Sequence, residues 1–249
     1  MLLRREELMK KLLSLGAAAV VLSMPISAHA ATHAGDSLLL DTGNGSGYAC
    51  TLAYTTTTNT GETWGVTAAH CFGDSNITQV RTSDGTVLAD QAELSRMKLY
   101  SEPTVYDSFQ PVLTDVAMFP IKPGVEVDSS SIYSRLENNS IAPLIANTPL
   151  VNALNNPLAL GEPLMLNQNM VGQFVCKEGS ATGRTCGIIT GVNVQSGEVY
   201  ALIPAIEGDS GGPLHLLGGD GKRHIIGTLS GGTPVLYNGF DSPLTYPQP

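Results

Sequence analysis

The chain has 249 residues, 42% of them hydrophobic and 14% charged, with 13 Lys and Arg against 22 Asp and Glu for a net charge of −9. A chain of this length and apolar content buries a substantial core, which excludes disordered and collagen-like classes. The acidic balance argues against nucleic acid and anionic membrane surfaces as partners.

Arg4, Arg5, Lys10 and Lys11 precede an apolar run from Leu12 to Met24, followed by Pro25 and Ala28-His29-Ala30. Basic, apolar and small-residue regions in that order make residues 1–30 a secretory signal peptide. The 13-residue run is shorter than the roughly 20 needed to span a bilayer, so no membrane association is expected after cleavage near Ala30. Glu6 and Glu7 directly after the arginine pair favour the general export route over the twin-arginine one. Removing the leader leaves 9 Lys and Arg against 20 Asp and Glu, a net charge of −11 on a secreted chain expected to be monomeric.

Beyond the leader, short runs rich in β-branched and aromatic residues recur between Gly, Asn, Asp and Ser clusters. Strands are predicted over Tyr48–Tyr54, Thr63–Ala69, Val116–Ile121, Val171–Val175, Gly187–Val194, Val199–Ile203 and His224–Leu229. Turn signals stand at Asp84-Gly85, Ser196-Gly197, Gly218-Gly219-Asp220-Gly221 and Asn238-Gly239. The class implied is all-β, a barrel or a sandwich. Lys122–Ser140 contains Pro123-Gly124, three consecutive serines and Asn138-Asn139, with little apolar periodicity, and reads as part of a connection between two β domains. The expected division is 31–121 for an N-terminal domain, 122–145 for the connection and 146–249 for a C-terminal domain. Cys50, Cys71, Cys176 and Cys186 form two well separated pairs in an exported chain, which implies two disulfides. No C-x-x-C spacing supports a zinc site, and no metal is expected.

A serine hydroxyl is a poor nucleophile near neutral pH. A hydrolase that uses one needs a histidine to take its proton, a carboxylate to orient the imidazole, and donors for the oxyanion. Gly208-Asp209-Ser210-Gly211-Gly212-Pro213 has the composition for nucleophile and donors, since glycines let consecutive N–H groups converge beside Ser210. Thr67-Ala68-Ala69-His70-Cys71 supplies a histidine at the end of a predicted strand. His33, His215 and His224 have no such context and read as exposed or core residues.

These two segments resemble the signatures of the trypsin/chymotrypsin family. The resemblance implies two six-stranded antiparallel β-barrels with the active site in the cleft between them, spanning nearly all of residues 36–246. It implies a serine endopeptidase with protein or peptide substrates and no cofactor: Ser210 as nucleophile, His70 as general base, and the amides of Gly208 and Ser210 as the oxyanion hole. The family's aspartate lies between the other two in an Asp-aliphatic-small motif, which Asp115-Val116-Ala117 matches and Asp90, Asp107 and Asp128 do not. The family also pairs the cysteine beside the histidine with one in the preceding strand, here Cys50 with Cys71.

Val175-Cys176-Lys177-Glu178-Gly179 through Gly183-Arg184-Thr185-Cys186-Gly187 is similar to a segment of the bacterial branch, the α-lytic protease and streptogrisin group. There the two cysteines form a hairpin disulfide, and the basic residue after the first pairs with the aspartate before the nucleophile. The implied pairs are Cys176 with Cys186 and Lys177 with Asp209, with Arg135 or Arg184 as substitute cations. By the same resemblance, Ser230-Gly231-Gly232 pairs with the substrate main chain as an added strand. The specificity pocket is expected from Pro204, Ala205 and Glu207 together with Ser230, Gly231 and Gly232. Pro204 stands where trypsin-like members carry Asp, and Leu229 where glutamate-specific members carry His, so a small or apolar side chain is expected before the scissile bond. Asp241 at the pocket floor is the alternative that restores a basic preference. Tyr246-Pro247-Gln248-Pro249 does not form the family's C-terminal helix. That departure keeps a second reading in view, a catalytically silent, protease-shaped binding protein.

Overall fold

The structure is a computed structural model, which describes residues 30–73, 76–102, 105–107, 110–112, 114–134, 156–233 and 235–249. The leader before Ala30 and Arg135 lie outside the described residues. In the N-terminal half the strands are β1 (Thr32–Ala34), β2 (Ser37–Asp41), β3 (Gly47–Thr51), β4 (Tyr54–Thr57), β5 (Thr63–Thr67), β6 (Gln79–Thr82) and β7 (Val87–Asp90). They continue as β8 (Lys98–Ser101), β9 (Val105–Asp107), β10 (Gln110–Val112) and β11 (Asp115–Pro120). Two four-stranded sheets result, in the orders β3-β2-β6-β7 and β4-β5-β11-β8, with β9 and β10 as a separate hairpin.

The next strands are β12 (Val127–Ile132), β13 (Leu158–Ala159), β14 (Phe174–Lys177), β15 (Thr185–Asn193) and β16 (Glu198–Ala205). The last three are β17 (Pro213–Leu217), β18 (Arg223–Thr233) and β19 (Val235–Asp241). Six of them close into an antiparallel barrel in the order β14-β15-β16-β19-β18-β17. Inward alternation along β16 puts Val199, Ala201 and Ile203 into its core with Val175, Ile189, Leu214, Ile226 and Phe240.

β11 explains how the halves meet. Val116, Ala117, Met118 and Phe119 are all fully buried, although a strand with one wet face alternates. Ala117 and Phe119 face the core formed with Leu38, Leu40, Val80 and Leu88, whereas Val116 and Met118 pack against Tyr54, Trp64, Val66 and Ile225 of β18. The strand that begins at Asp115 is therefore clamped on both faces, one of them against the C-terminal half.

The fold departs from the sequence reading in several places, one being Asn238-Gly239, expected as a turn, which lies within β19. The connection carries β12, a polar strand that runs parallel to β1 and antiparallel to β13. Gln91–Leu94 forms a helical turn whose capping box pairs the Asp90 side chain with the first-turn amides and Glu93 with the Asp90 N–H. Val171–Gln173 lies before β14, after a 3-10 turn at Gln168–Met170. No helix among the described residues is long and apolar enough to cross a membrane.

Disulfides join Cys50 to Cys71 and Cys176 to Cys186, with sequence separations of 21 and 10. Closing the first loop restricts the unfolded chain enough to contribute about 3 kcal/mol. Replacing both Cys50 and Cys71 with alanine is expected to lower the unfolding free energy by about that amount in urea titrations. An unchanged midpoint and slope would contradict the estimate.

Candidate active site

His70 sits in a 3-10 turn, Ala69–Phe72, at the end of β5, anchored by the disulfide from Cys71 to Cys50. Asp115, the first residue of β11, contacts it twice. Oδ1 accepts from the His70 backbone N–H at 2.7 Å and Oδ2 lies 2.7 Å from Nδ1. Oδ2 also accepts from the Ser230 hydroxyl at 2.6 Å, so this serine's side chain is committed to Asp115. These bonds select the tautomer with the proton on Nδ1 and leave Nε2 to face the cleft. The imidazole is 45% exposed and the carboxylate 14%, so the ring alone opens to solvent. The other carboxylates of the interval have separate partners: Asp90 caps a helical turn and pairs with Lys122, and Asp128 binds the hydroxyls of Ser130 and Ser131. Asp107 lies on β9.

Ser210 lies beside His70 in a cleft of about 620 Å³ lined by Tyr48, Ala49, the Cys50–Cys71 bridge, Glu207 and Gly208. No hydrogen bond links the Ser210 hydroxyl to His70, a contact that commonly tightens only when substrate binds. Gly208 has φ +96°, which a side chain would strain, and its carbonyl accepts from the Ser180 hydroxyl at 2.6 Å and the Thr51 hydroxyl at 3.1 Å. With that carbonyl tied behind the loop, neither the Gly208 nor the Ser210 amide donates to an acceptor among the described residues. Two free N–H groups beside a hydroxyl suit a developing oxyanion. Gly211 allows a close approach of the loop to the N-terminal half: a Cβ there would lie 2.0 Å from Thr67 Oγ1 and 2.6 Å from the Thr51 carbonyl.

Asp209 points the opposite way, into the interior, with no exposure. Oδ2 accepts from Lys177 Nζ at 2.9 Å, from the Thr182 hydroxyl at 2.7 Å and from the Ile206 N–H at 3.1 Å. Oδ1 accepts from the amides of Ala181 at 3.0 Å and Thr182 at 2.9 Å. Lys177 is equally buried and gives a second bond to Thr182, so both charges are enclosed and bonded to each other and to Thr182. Burial pushes the Lys177 ammonium below the usual lysine range, and the attraction of Asp209 opposes it. Arg184 serves a different carboxylate, that of Glu178, which also takes His215 Nε2 at 3.1 Å and the Ser134 hydroxyl at 2.7 Å. Burial raises the Glu178 pKa, but His215 and Arg184 outweigh it and hold the group below its ordinary value of 4.5.

Of the residues assigned to the specificity pocket, Glu207 lines the cleft beside Ser210, Pro204 and Ala205 lie on β16, and Ser230, Gly231 and Gly232 lie on β18. Asn238 of β19 stands between their strands, paired in register with Gly232 and donating to the Ile203 carbonyl at 2.7 Å. Asp241 is not at a pocket floor: it is fully buried, with Oδ2 accepting from the Asp115 N–H at 2.8 Å. Thr51, Ser180, Thr182, Asn238 and Tyr246 were given no site role from the sequence. Most of their bonds join residues far apart in the chain; Tyr246 to Asp241 and Lys177 to Thr182 span five positions each but form no recognisable motif.

The fold and the site geometry are those of the trypsin/chymotrypsin-like class. The family model for trypsin matches residues 41–242, and the chain belongs to that family. Its fold is similar to that of a glutamic acid-specific serine protease with a histidine triad in substrate binding, at TM-score 0.54 and 21% identity, covering 85% of this chain and 93% of that one. It is also similar to Protease A of Thermobifida fusca, at TM-score 0.51 and 22% identity over 86% and 92% of the two chains. For the Nocardiopsis protease the values are 0.52 and 18% over 86% and 93%. At these identities the likeness concerns the fold. Two uncharacterised Mycobacterium tuberculosis proteins are 37% and 38% identical over 67 residues, which cover 26% of this chain and 30% of each of them.

Replacing Lys177 with methionine leaves Asp209 charged, buried and unpaired, and is expected to cost about 3–5 kcal/mol in urea unfolding. Thr182→Val removes a donor but keeps the cation, and should cost about 1–3 kcal/mol. Equal losses for the two variants would contradict the assignment of Lys177 as the principal partner. Glu178 adds a pH dependence. A carboxylate held below its unfolded pKa stabilises the fold fully above that value and loses the contribution as pH falls through the folded one. Melting temperatures of the parent should therefore drop as pH falls below about 4.5, and Glu178→Gln should remove part of that slope.

Proposed function

We propose that the protein is a secreted serine endopeptidase that cleaves peptide bonds through an acyl-enzyme on Ser210. The observation that carries this reading is the doubly bonded His70–Asp115 pair sharing a cleft with Ser210 and two undirected amides. Ser210 Oγ attacks the scissile carbonyl while His70 Nε2 takes its proton, and the amides of Gly208 and Ser210 bind the oxyanion. His70 then returns the proton to the leaving amine, and water attacks the ester with His70 again as base. Asp115 keeps the imidazole in register and stabilises the imidazolium. These steps require neither metal nor organic cofactor.

The buried Lys177–Asp209 pair supports a ready-made oxyanion loop, with the Asp209 side chain drawn inward so that the flanking amides face the cleft. The main chain of Ser230-Gly231-Gly232, at the end of β18, is the strand that a substrate extends. Asn238 between the pocket walls favours a small or short apolar side chain before the scissile bond. The paired cysteines and the basic-apolar-small leader support secretion.

Fluorophosphonate labelling of the purified mature protein should modify one residue, Ser210, and Ser210→Ala should abolish it. Labelling of the alanine variant at the parent's level would sink the proposal. Asp115→Asn should lower kcat by about 10⁴-fold, the loss documented for the parent family's own triad rather than one obtained from this chain. A peptide-library digest should give cleavage after small or apolar residues. A protease-shaped binding protein would give none at any site.

A further inference from the structure

Asp115 is tied to the C-terminal half through its main chain as well as its carboxylate. The Asp241 oxygen that accepts from the Asp115 N–H also accepts from the Tyr246 hydroxyl, at 2.7 Å. Asp241 is the last residue of β19, and its other oxygen has no partner among the described residues. Tyr246 stacks on Tyr100 of β8, ring centroids 4.6 Å apart. The Tyr100 hydroxyl donates to the Pro247 carbonyl at 3.1 Å, and Lys98 Nζ to the Gln248 carbonyl at 3.2 Å. β8 is the edge strand beside β11, with Ser101 opposite Asp115 and Tyr100 opposite Val116. The segment that follows β19 thus crosses to the N-terminal half and lies against the sheet that carries Asp115. None of the hydrolytic steps uses Asp241 or Tyr246.

Resting on the reading of Asp115 as the residue that orients His70, we propose that Asp241 and Tyr246 are positioning residues, a relay through which the C-terminal segment holds Asp115 and with it the imidazole. Both Asp115 oxygens accept from His70 or Ser230, and Asp241 fixes the main-chain end of the same residue, so the carboxylate cannot tilt without breaking one of these bonds. Tyr246 performs the same service for Asp241.

The relay is itself ionisable. Asp241 is faced by Asp115 from β11, by Glu198 and Tyr200 from β16, and by Tyr246 from the C-terminal segment. Burial pushes its pKa up to about 7; the bonds from Asp115 and Tyr246 lower it, and Glu198 and Asp115 add repulsion. A carboxyl whose folded pKa exceeds its unfolded value loses stability for the fold as pH rises between the two, here from 3.8 to about 7. Once ionised, it adds a negative charge behind Asp115 and favours the imidazolium form of His70.

The test compares the intact protein with Asp241→Asn, which keeps an acceptor but cannot ionise, and with Tyr246→Phe, which loses one hydroxyl. Each is titrated by NMR at the His70 imidazole and assayed for kcat and KM on a peptide substrate from roughly pH 5 to 9. In Asp241→Asn, His70 should titrate about half a pH unit lower, and kcat should fall about three- to tenfold with KM within about twofold. The stability loss between pH 3.8 and about 7 should flatten. Tyr246→Phe should lower kcat in the same direction by a smaller factor. His70 titration and kcat at parental values in both variants would overturn the relay. If Asp241→Asn does not fold, Tyr246→Phe decides. If the parent turns over no peptide, the protease reading fails separately, and the His70 titration alone decides the relay: a downward shift in Asp241→Asn upholds it, and an unchanged value overturns it.

Discussion

The buried Lys177–Asp209 pair is the constraint on which the rest of the site depends. A carboxylate without exposure is costly unless its lone pairs are filled, and five donors fill those of Asp209: one ammonium, one hydroxyl and three amides. Satisfying them draws Asp209 inward and fixes the backbone of its chain neighbours Gly208 and Ser210, whose amides have no acceptor among the described residues. Lys177 owes its own position to β14, whose register with β15 and β17 sets Cys176 opposite Cys186 and Lys177 opposite Leu214.

Each half of the molecule holds the other's reactive group. Thr51 of β3 donates its N–H to the Ser210 carbonyl at 2.7 Å and its hydroxyl to the Gly208 carbonyl, while the same hydroxyl accepts from the Ser180 N–H at 2.9 Å. In the other direction, Ser230 and Asp241 hold the two ends of Asp115. Hydrogen bonds across the interface align Ser210 of one half with His70 of the other. Apolar burial of Val116, Met118 and Ile225 supplies adhesion there without direction.

Much of the site was legible because its chemistry is local in sequence. A serine among glycines, a histidine beside a cysteine and a lysine beside another cysteine are each contained in a few residues. Asp115 was legible through its aliphatic-small continuation. The all-β class followed from short apolar runs between turn residues, and the non-helical form of residues 246–249 from Pro247 and Pro249. Apart from the Lys177–Asp209 pair and the Cys50–Cys71 bridge, the contacts that hold these groups were not legible. Thr51 and Gly208 are 157 positions apart, and Asp115 and Asp241 are 126 apart, so only the folded register brings them together. Asp241 was considered for the pocket floor because a carboxylate near the chain end has no local sign of which face of β19 it takes. β12 escaped notice because Asp-Ser-Ser-Ser carries no apolar alternation, and its pairing comes from β1 and β13.

A covalent intermediate on Ser210 separates an enzyme from a protein that only shares its shape. Rapid mixing of the mature protein with a p-nitrophenyl ester, followed by intact-mass and peptide-level mass spectrometry, tests for it directly. The account predicts a burst of nitrophenol of one equivalent per protein, with the acyl group recovered on the peptide that contains Ser210. Turnover without a burst or covalent adduct, or an adduct at another residue, would contradict it.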